Sequence, residues 1–312
     1  MRVFTASDVD SALDFPSLVD VLADAFRGGL TAPERHHHPI ARKGAPSGTH
    51  LLMPAWSEAP GGFLGVKIVN VFPANGERGL PAVQGTYVLQ SGDTGETIAV
   101  LDGTRLTQWR TAAASALAAR YLAREDARKL LVVGSGALAP FLVRAHRSQR
   151  PIDFVEVWNH RPEGALRLAE RLRAEGIEAR ATAHLQDAAR EADIISCATL
   201  SHVALIAGAW LQPGQHVDLV GAFNMQMREA DDIALKRARV FVDTAAALHE
   251  GGDVAQAIAS GALAKTDIVS DLAALVNGAP GRGDAREITL FKSVGAAIED
   301  LAAASLVWRR AN

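Results

Sequence analysis

The stretch KLLVVGSGALA, residues 129–139, decides the fold of this 312-residue chain. A run of apolar residues ends at Gly134, and Gly134, Gly136 and Ala139 form a G-x-G-x-x-A pattern that leads into a helical segment. In such a unit the first glycine allows a tight turn, the second lets the backbone approach a pyrophosphate, and the small third residue lets helix and strand pack closely. We therefore predict a Rossmann domain that binds a nicotinamide dinucleotide.

The sequence after residue 124 predicts the rest of that domain. Apolar strand runs alternate there with helical stretches, which is typical of a parallel sheet buried on both faces. The predicted strands are 129–133, 154–158, 193–197, 216–220 and 239–242, and the predicted helices are 139–147, 162–175, 185–191 and 228–236.

The first 110 residues have a different pattern. An amphipathic helix is predicted at 15–26, followed by short strand runs separated by turn-forming residues, at 50–53, 63–70, 86–90 and 97–101. An alanine-rich helix at 106–122 bridges the two parts, and 287–310 predicts a strand, a turn and a final helix. We predict an α/β protein with a mainly parallel Rossmann domain at 113–289 and a smaller α+β domain made of 1–112 with 290–312.

Composition excludes several classes of protein. The chain is 48% hydrophobic and 21% charged, and its net charge of −3 offers no basic field for nucleic acid or for a membrane surface. The single cysteine, Cys197, excludes an internal disulfide and fits a reducing compartment, and no apolar stretch is long enough to span a bilayer. The run His36-His37-His38 would alternate between the faces of a strand, so we expect no metal site. We expect a soluble, cytoplasmic protein.

The end of the second predicted strand bears on the choice of cofactor. Domains that prefer NAD usually place an acidic residue about 20 residues after the glycine turn, where it binds the ribose 2′-hydroxyl. Asn159 occupies that place, and Arg161 follows two residues later, ready to pair with a 2′-phosphate. We therefore predict NADPH as the cofactor, with NADH used more weakly.

Three cationic residues in the first part have no obvious acidic partner nearby in the sequence. Lys67 lies among apolar residues of a predicted strand, Arg110 lies early in the alanine-rich helix, and Arg35 precedes the histidine run. Burying a cation is unfavourable unless an anion accompanies it. Spacing alone leaves two partners equally open for each, a substrate carboxylate or a structural ion pair.

Together these segments resemble the ornithine cyclodeaminase/mu-crystallin family. The matching motifs run in family order and cover nearly the whole chain: GVKIVNVFPAN at 65–75, LTQWRTAAASALAA at 106–119, the glycine turn at 129–139, FVDT at 241–244 with GGD at 251–253, and EITLFKSVG at 287–295.

The resemblance implies a homodimer whose first domain and C-terminal helix form the substrate-binding and dimerisation domain. It implies that Lys67, Arg110 and Arg35 bind the substrate carboxylate, with Arg42 as a rival to Arg35. It also implies a set of further residues that line the cofactor: Gln84, Ala137, Leu138, Thr199, Val220 and Phe223, with Ser293 near the nicotinamide.

One departure from the family pattern favours one activity over the others. The cyclodeaminases carry a Gly-Gly-Asp after the strand at 216–220, whereas this chain has Gly221-Ala222-Phe223 there. The segment MREAD at 227–231 is similar to members that reduce cyclic ketimines. We therefore expect a reductase of small cyclic imino acids, closest to the Δ1-pyrroline-2-carboxylate reductases and acting in proline metabolism. The alternatives are an ornithine cyclodeaminase, an alanine-type amino-acid dehydrogenase and, less favoured, a non-enzymatic binding protein.

Overall fold

The computed structural model describes residues 1–75 and 78–312. The chain forms two compact units, Met1–Thr111 with Ala296–Asn312, and Ala112–Gly295. The sequence predicts that the chain returns to the first unit at residue 290, and this bound stays a prediction. Thr289–Lys292 is a strand that pairs with a neighbour on each side inside the second unit.

The first unit is built on a mixed sheet. In the described part of the chain its strands are β1 (Arg2–Phe4), β2 (Leu30–Thr31), β3 (His36–Ile40), β4 (Gly48–Ser57), β5 (Phe63–Val71), β6 (Val83–Ser91) and β7 (Thr97–Asp102). They follow the order β1-β7-β6-β5-β4-β2, with β3 paired to β4. All of these pairs are antiparallel except β1 with β7.

Helices cover one face of this sheet. They are α1 (Ala6–Ala12), α2 (Phe15–Arg27) and the C-terminal α10 (Ala297–Arg310), which packs on α2 and on β4, β5 and β6. Asp14 caps α2 by accepting a 2.9 Å hydrogen bond from the Ser17 backbone N–H, so the helix begins where the amphipathic pattern predicts. Alternate strand residues point at the helices and form the core, among them Met53, Val69 and Leu89.

The second unit is a Rossmann fold. Its strands, as far as the structure describes them, are β8 (Lys129–Val133), β9 (Phe154–Trp158), β10 (Ala179–Ala181), β11 (Ile194–Cys197), β12 (His216–Leu219), β13 (Arg239–Val242), β14 (Ile268–Asp271) and β15 (Thr289–Lys292). They are all parallel, in the order β10-β9-β8-β11-β12-β15-β13-β14. The predicted α/β class, with a parallel Rossmann sheet and a smaller mixed domain, is confirmed.

The helices of the second unit follow its strands. They are α4 (Ala139–Gln149), α5 (Pro162–Ala174), α6 (Leu185–Glu191), α7 (Asp232–Arg237), α8 (Gly252–Ala259) and α9 (Leu272–Val276), while α3 (Gly103–Leu122) crosses from the first unit into the second. The helix predicted to begin at residue 228 begins at Asp232. Asp231 caps it by accepting a hydrogen bond from the Ala234 backbone N–H, and residues 228–230 are not helical.

Among the described residues, none of the helices has both the length and the apolar character needed to cross a membrane. The same residues contain no group of three or more His, Cys, Asp or Glu side chains placed to bind a metal ion. Cys197 is buried in the core of the second unit, and burial raises the pKa of its thiol well above the usual value.

Candidate active site and dinucleotide cradle

The glycine turn joins β8 to α4 and presents unpaired backbone donors. Gly134 has φ +109°, and a Cβ there would lie 2.6 Å from the Ala198 carbonyl oxygen, so only glycine fits. A Cβ on Gly136 would meet no atom within 4 Å, because that side of the turn is open. Within the described residues, the N–H groups of 135–138 donate to no acceptor. Free N–H groups at a helix N-terminus form an anion site, which fits the pyrophosphate of a dinucleotide.

Asn159 and Arg161 lie directly after β9. The Asn159 side chain donates from Nδ2 to the Arg161 carbonyl oxygen at 2.9 Å, while the Arg161 side chain is exposed at the start of α5. A Cβ on Gly164 would lie 2.4 Å from Ser135 Oγ and 2.8 Å from Asn159 Nδ2. The first turn of α5 therefore touches both the glycine turn and the end of β9.

Glu229 joins two loops at the carboxyl ends of the strands, and sequence reasoning missed it. It is fully buried, and its carboxylate accepts hydrogen bonds from the backbone N–H of Thr199 at 2.6 Å, of Gly221 at 2.7 Å and of Ala222 at 3.3 Å. It also accepts one from Thr199 Oγ1 at 2.9 Å. These bonds hold together the loops that follow β11 and β12, which contain the predicted cofactor-lining residues Thr199 and Val220. The acidic residue within the MREAD segment was the sequence signal that could have identified Glu229.

A second carboxylate, Asp253, and a buried cation, Lys292, lie beside Glu229. Asp253 accepts from the Glu229 and Ala230 backbone N–H groups at 2.7 and 2.9 Å, and its other oxygen lies 3.3 Å from Lys292 Nζ. All three charged groups are fully buried. Burial raises the pKa of Glu229 to about 7, and the Lys292 charge opposes the shift.

The loop after β15 carries Ser293 and is held by Asp243 of the FVDT motif. Asp243 Oδ2 accepts from the Val294 and Gly295 backbone N–H groups at 2.7 and 2.6 Å. Ser293 is buried at the end of the strand. The FVDT, GGD and FKSVG segments therefore meet at the carboxyl ends of the parallel strands, which is where dinucleotides bind in this fold.

Two of the predicted cations in the first unit have protein anions as partners. Lys67 on β5 is 1% exposed, and its Nζ lies 2.8 and 2.6 Å from the two carboxylate oxygens of Asp300. Arg110 on α3 donates from Nη1 to Glu299 at 2.7 Å and from Nε to Asp300 at 3.0 Å. The structural ion pair left open by spacing is therefore present, and it joins β5 and α3 to the first turn of α10, where the helix dipole favours acidic residues.

The protonation of the Lys67 side chain depends on its burial. Burial and the neighbouring Arg110 charge lower the pKa of Lys67 to about 8, against the opposing effect of Asp300. Tyr87 pairs with Lys67 across β5 and β6, and its buried hydroxyl has no hydrogen-bond partner among the described residues. A Cβ on Gly65 would lie 2.5 Å from the Tyr87 Oη, which explains the glycine at the start of the GVKIVN motif. Sequence reasoning did not single out Tyr87.

The remaining predicted residues are less buried. Arg35 is half-buried just before β3, and Arg42 is exposed, donating from Nη2 to the Pro46 carbonyl oxygen at 2.9 Å and lying over the Phe72 ring. Gln84 is exposed on β6 in the first unit. Phe223 is half-buried in the loop after β12 in the second unit. The carboxylate-binding role of Arg35 and the cofactor contacts of Gln84 and Phe223 stay predictions.

The sequence profile described as the ornithine cyclodeaminase/mu-crystallin family matches residues 2–312. The chain belongs to this family. It is 43% identical to the Δ1-pyrroline-2-carboxylate reductase of Paracoccus denitrificans, over 92% of this chain and 90% of that protein.

Solved structures agree with the family assignment. The Thermococcus litoralis Δ1-pyrroline-2-carboxylate reductase in complex with NADH and L-proline superposes with a TM-score of 0.94 at 31% identity, covering 100% of this chain and 97% of that one. An archaeal alanine dehydrogenase dimer with bound NAD gives 0.91 at 30% identity, over 100% and 96% of the two chains. This family member is an NAD(P)H-dependent oxidoreductase that acts on imines, and a nicotinamide cofactor fits the unpaired donors of its glycine turn.

Proposed function

We propose that this enzyme reduces the cyclic imino acids Δ1-pyrroline-2-carboxylate and Δ1-piperideine-2-carboxylate to proline and pipecolate with NADPH, NADH being the weaker donor. The observation that carries the proposal is the buried, charge-balanced group of Lys67, Arg110, Glu299 and Asp300. The Thermococcus relative, bound to NADH and L-proline, supports it. A cytoplasmic location stays a prediction from the single cysteine.

The charge balance of this group favours a zwitterionic ligand. Two cations already face two carboxylates, so the group is neutral before a substrate arrives. A protonated cyclic imine carries one carboxylate and one iminium charge, and its binding adds no net charge to a buried site. An open-chain oxo acid brings only a negative charge, which is more costly to bury.

Both cations keep donors that no described residue uses. Lys67 has three N–H donors that bind only Asp300 in the described residues, and none of the hydrogen bonds of Arg110 uses its Nη2 group. Glu299 and Asp300 hold the cations in place while these donors orient the substrate carboxylate, and orientation of this kind contributes several kcal/mol to catalysis. When bound, the reduced nicotinamide supplies the hydride for the C=N carbon. With a pKa of about 8, Lys67 Nζ carries a proton at neutral pH and can hold or supply the proton of the imine nitrogen.

The loop after β12 supports a reductase over a cyclodeaminase. It carries Phe223 where the cyclodeaminases resembled by this chain have an aspartate, so it lacks a base for amine chemistry. Glu229 cannot replace that base. Its carboxylate is fully buried and bound to three backbone N–H groups and one hydroxyl.

The activity is tested by following oxidation of the reduced nicotinamide with freshly prepared substrates. We expect turnover with both cyclic imines, faster with NADPH than with NADH. Pyruvate with ammonia and ornithine with NAD serve as comparisons. Faster turnover of pyruvate would replace the proposal by an amino-acid dehydrogenase, and ammonia release from ornithine would replace it by a cyclodeaminase. Tight NADPH binding without turnover of any substrate would indicate a binding protein.

We further propose that the enzyme is a homodimer formed through the sheet of the first unit. The face of this sheet opposite α2 and α10 carries a cross-strand row of half-buried apolar residues, Pro54, Val66, Val88 and Val100. A contiguous apolar row of this kind is typical of an interface. The archaeal alanine dehydrogenase relative is itself described as a dimer.

Sedimentation velocity tests the dimer. We expect a species of twice the 33.0 kDa chain mass, and Val88→Lys should convert it to monomer. A charge in the centre of an apolar interface is unfavourable unless it is paired. Exposed Val269→Lys, on β14 of the second unit, is the control that should leave the mass unchanged. A parent protein that sediments as a monomer at all concentrations would contradict the proposal.

A further inference from the structure

A cavity of about 220 Å³ lies in the second unit between the glycine turn and α5. One wall is formed by residues 135–137 of the turn, and the other by Gly164, Arg167 and Arg171 of α5. Gly164, Arg167 and Arg171 recur at helical spacing and therefore face the cavity from one side of α5. Two guanidinium groups and no carboxylate line it.

The positive charge of this wall is only partly neutralised by the protein. Arg167 makes no hydrogen bond or ion pair with any described residue. Arg171 lies 3.3 Å from Glu175, but Arg144 already binds that carboxylate with two hydrogen bonds, at 2.9 and 2.6 Å. The cavity is therefore suited to an anion, and guanidinium groups are well matched to phosphate.

The position of the cavity indicates which anionic group of the cofactor would bind there. The N–H groups of 135–138 at the helix N-terminus suit the pyrophosphate. Residues at the end of the second strand, here Asn159, bind the ribose in this fold. Because the backbone at Gly164 is in close contact with both Ser135 and Asn159, the basic wall begins beside the ribose end of the cradle and not beside the nicotinamide end.

We propose that this cavity binds the 2′-phosphate of NADPH, with Arg167 as its principal ligand, Arg171 as a second and Arg161 at its rim. The inference rests on the proposed use of NADPH and assigns the residues that select it. Arg161 follows β9 directly, as the sequence predicted, but it is not among the residues that line the cavity. Arg167 and Arg171 are as exposed as Arg161, and both line the cavity from α5.

Binding of nucleotide fragments to the full chain tests the assignment without any turnover. Isothermal titration would compare adenosine 2′,5′-bisphosphate with adenosine 5′-monophosphate, which differ only in the 2′-phosphate. We expect Arg167→Gln to weaken the bisphosphate at least about tenfold and to leave the monophosphate unchanged, because a charge-assisted phosphate contact is lost. Arg171→Gln should weaken the bisphosphate less, since Glu175 already shares that side chain. Arg190→Gln, exposed on α6 and away from the cavity, is the matched control.

The possible outcomes separate this inference from the proposed function. If Arg167→Gln leaves bisphosphate binding unchanged while the parent protein still prefers the bisphosphate, the cavity assignment is wrong and NADPH selection rests on other residues. Equal weakening of both nucleotides would instead place Arg167 at the 5′-phosphate. A parent protein with no preference for the bisphosphate would overturn both the assignment and the use of NADPH. The parent enzyme could also fail to reduce any imine while Arg167→Gln loses the preference for the bisphosphate. That result would support the assignment of the cavity and overturn the proposed substrate.

Discussion

Replacing Lys67 by methionine is expected to lower turnover of the cyclic imines by about a hundredfold or more, because misplacement of a bound substrate has effects of that size. The variant removes the buried Nζ that lies 2.8 Å from Asp300 and the donors proposed to orient the substrate carboxylate. It also removes the proton that Lys67, with its pKa of about 8, carries at neutral pH. Steady-state rates with Δ1-piperideine-2-carboxylate measure the effect.

Two controls separate catalysis from folding in this experiment. Loss of one partner of a buried ion pair destabilises proteins by roughly 3–5 kcal/mol, but Arg110 stays 3.0 Å from Asp300 and limits that loss here. NADPH binding should be unchanged in Lys67→Met, because Lys67 is not among the predicted cofactor-lining residues. The double variant with Asp300→Asn restores the charge balance and should regain stability without regaining turnover. Retained turnover in folded Lys67→Met would remove Lys67 from the mechanism.

Replacing Gly136 by valine is expected to weaken cofactor binding while leaving the fold intact. The backbone of Gly136 does not have the positive φ that favours glycine, and the position of its Cβ is open for 4 Å. The added Cβ therefore meets no protein atom, and the side chain occupies the approach of the pyrophosphate to the turn. Forcing extra atoms into a packed contact costs about 1–3 kcal/mol. This cost corresponds to a roughly tenfold to hundredfold larger dissociation constant for NADPH.

Gly134→Ala provides the contrast in the same turn. Its Cβ would lie 2.6 Å from the Ala198 carbonyl oxygen at φ +109°, so this variant should lose stability as well as cofactor affinity. Chemical denaturation and fluorescence titration with NADPH measure the two quantities. We expect the free energy of unfolding of Gly136→Val to stay within about 0.5 kcal/mol of the parent. A Gly136→Val protein that binds NADPH as tightly as the parent would show that the pyrophosphate does not lie on this turn.

Several site features could be read from the sequence because they are local. The strand, the tight turn and the helix around Gly134 follow one another without interruption, so spacing alone predicts their geometry and the free N–H groups between them. The parallel arrangement of the strands also follows from the alternation of apolar runs with helices, although their order in the sheet does not. The absence of an acid after β9 is visible at Asn159 for the same reason. The family motifs added the cations, but not what those cations contact.

The partners of Lys67 and Arg110 could not be predicted in this way. Glu299 and Asp300 lie 189 to 233 residues away in the chain, and they read as ordinary acidic residues in the first turn of a helix. Glu229 reads as a surface acid in MREAD, yet it is fully buried with its carboxylate on the N–H groups of two loops. Burial converts both from solvated charges into groups that must be paired.

The sequence by itself determined the class of the fold, the place of the dinucleotide turn and the family of this enzyme. These depend on periodicity and on contacts between residues close in the chain, which local spacing specifies. The tertiary structure decided which charges neutralise one another and which are left over. Lys67 and Arg110 are neutralised by the C-terminal helix, whereas Arg167 has no protein partner among the described residues and faces a cavity. Electrostatic pairing depends on distance in space and on exclusion of water, and neither follows from separation along the chain.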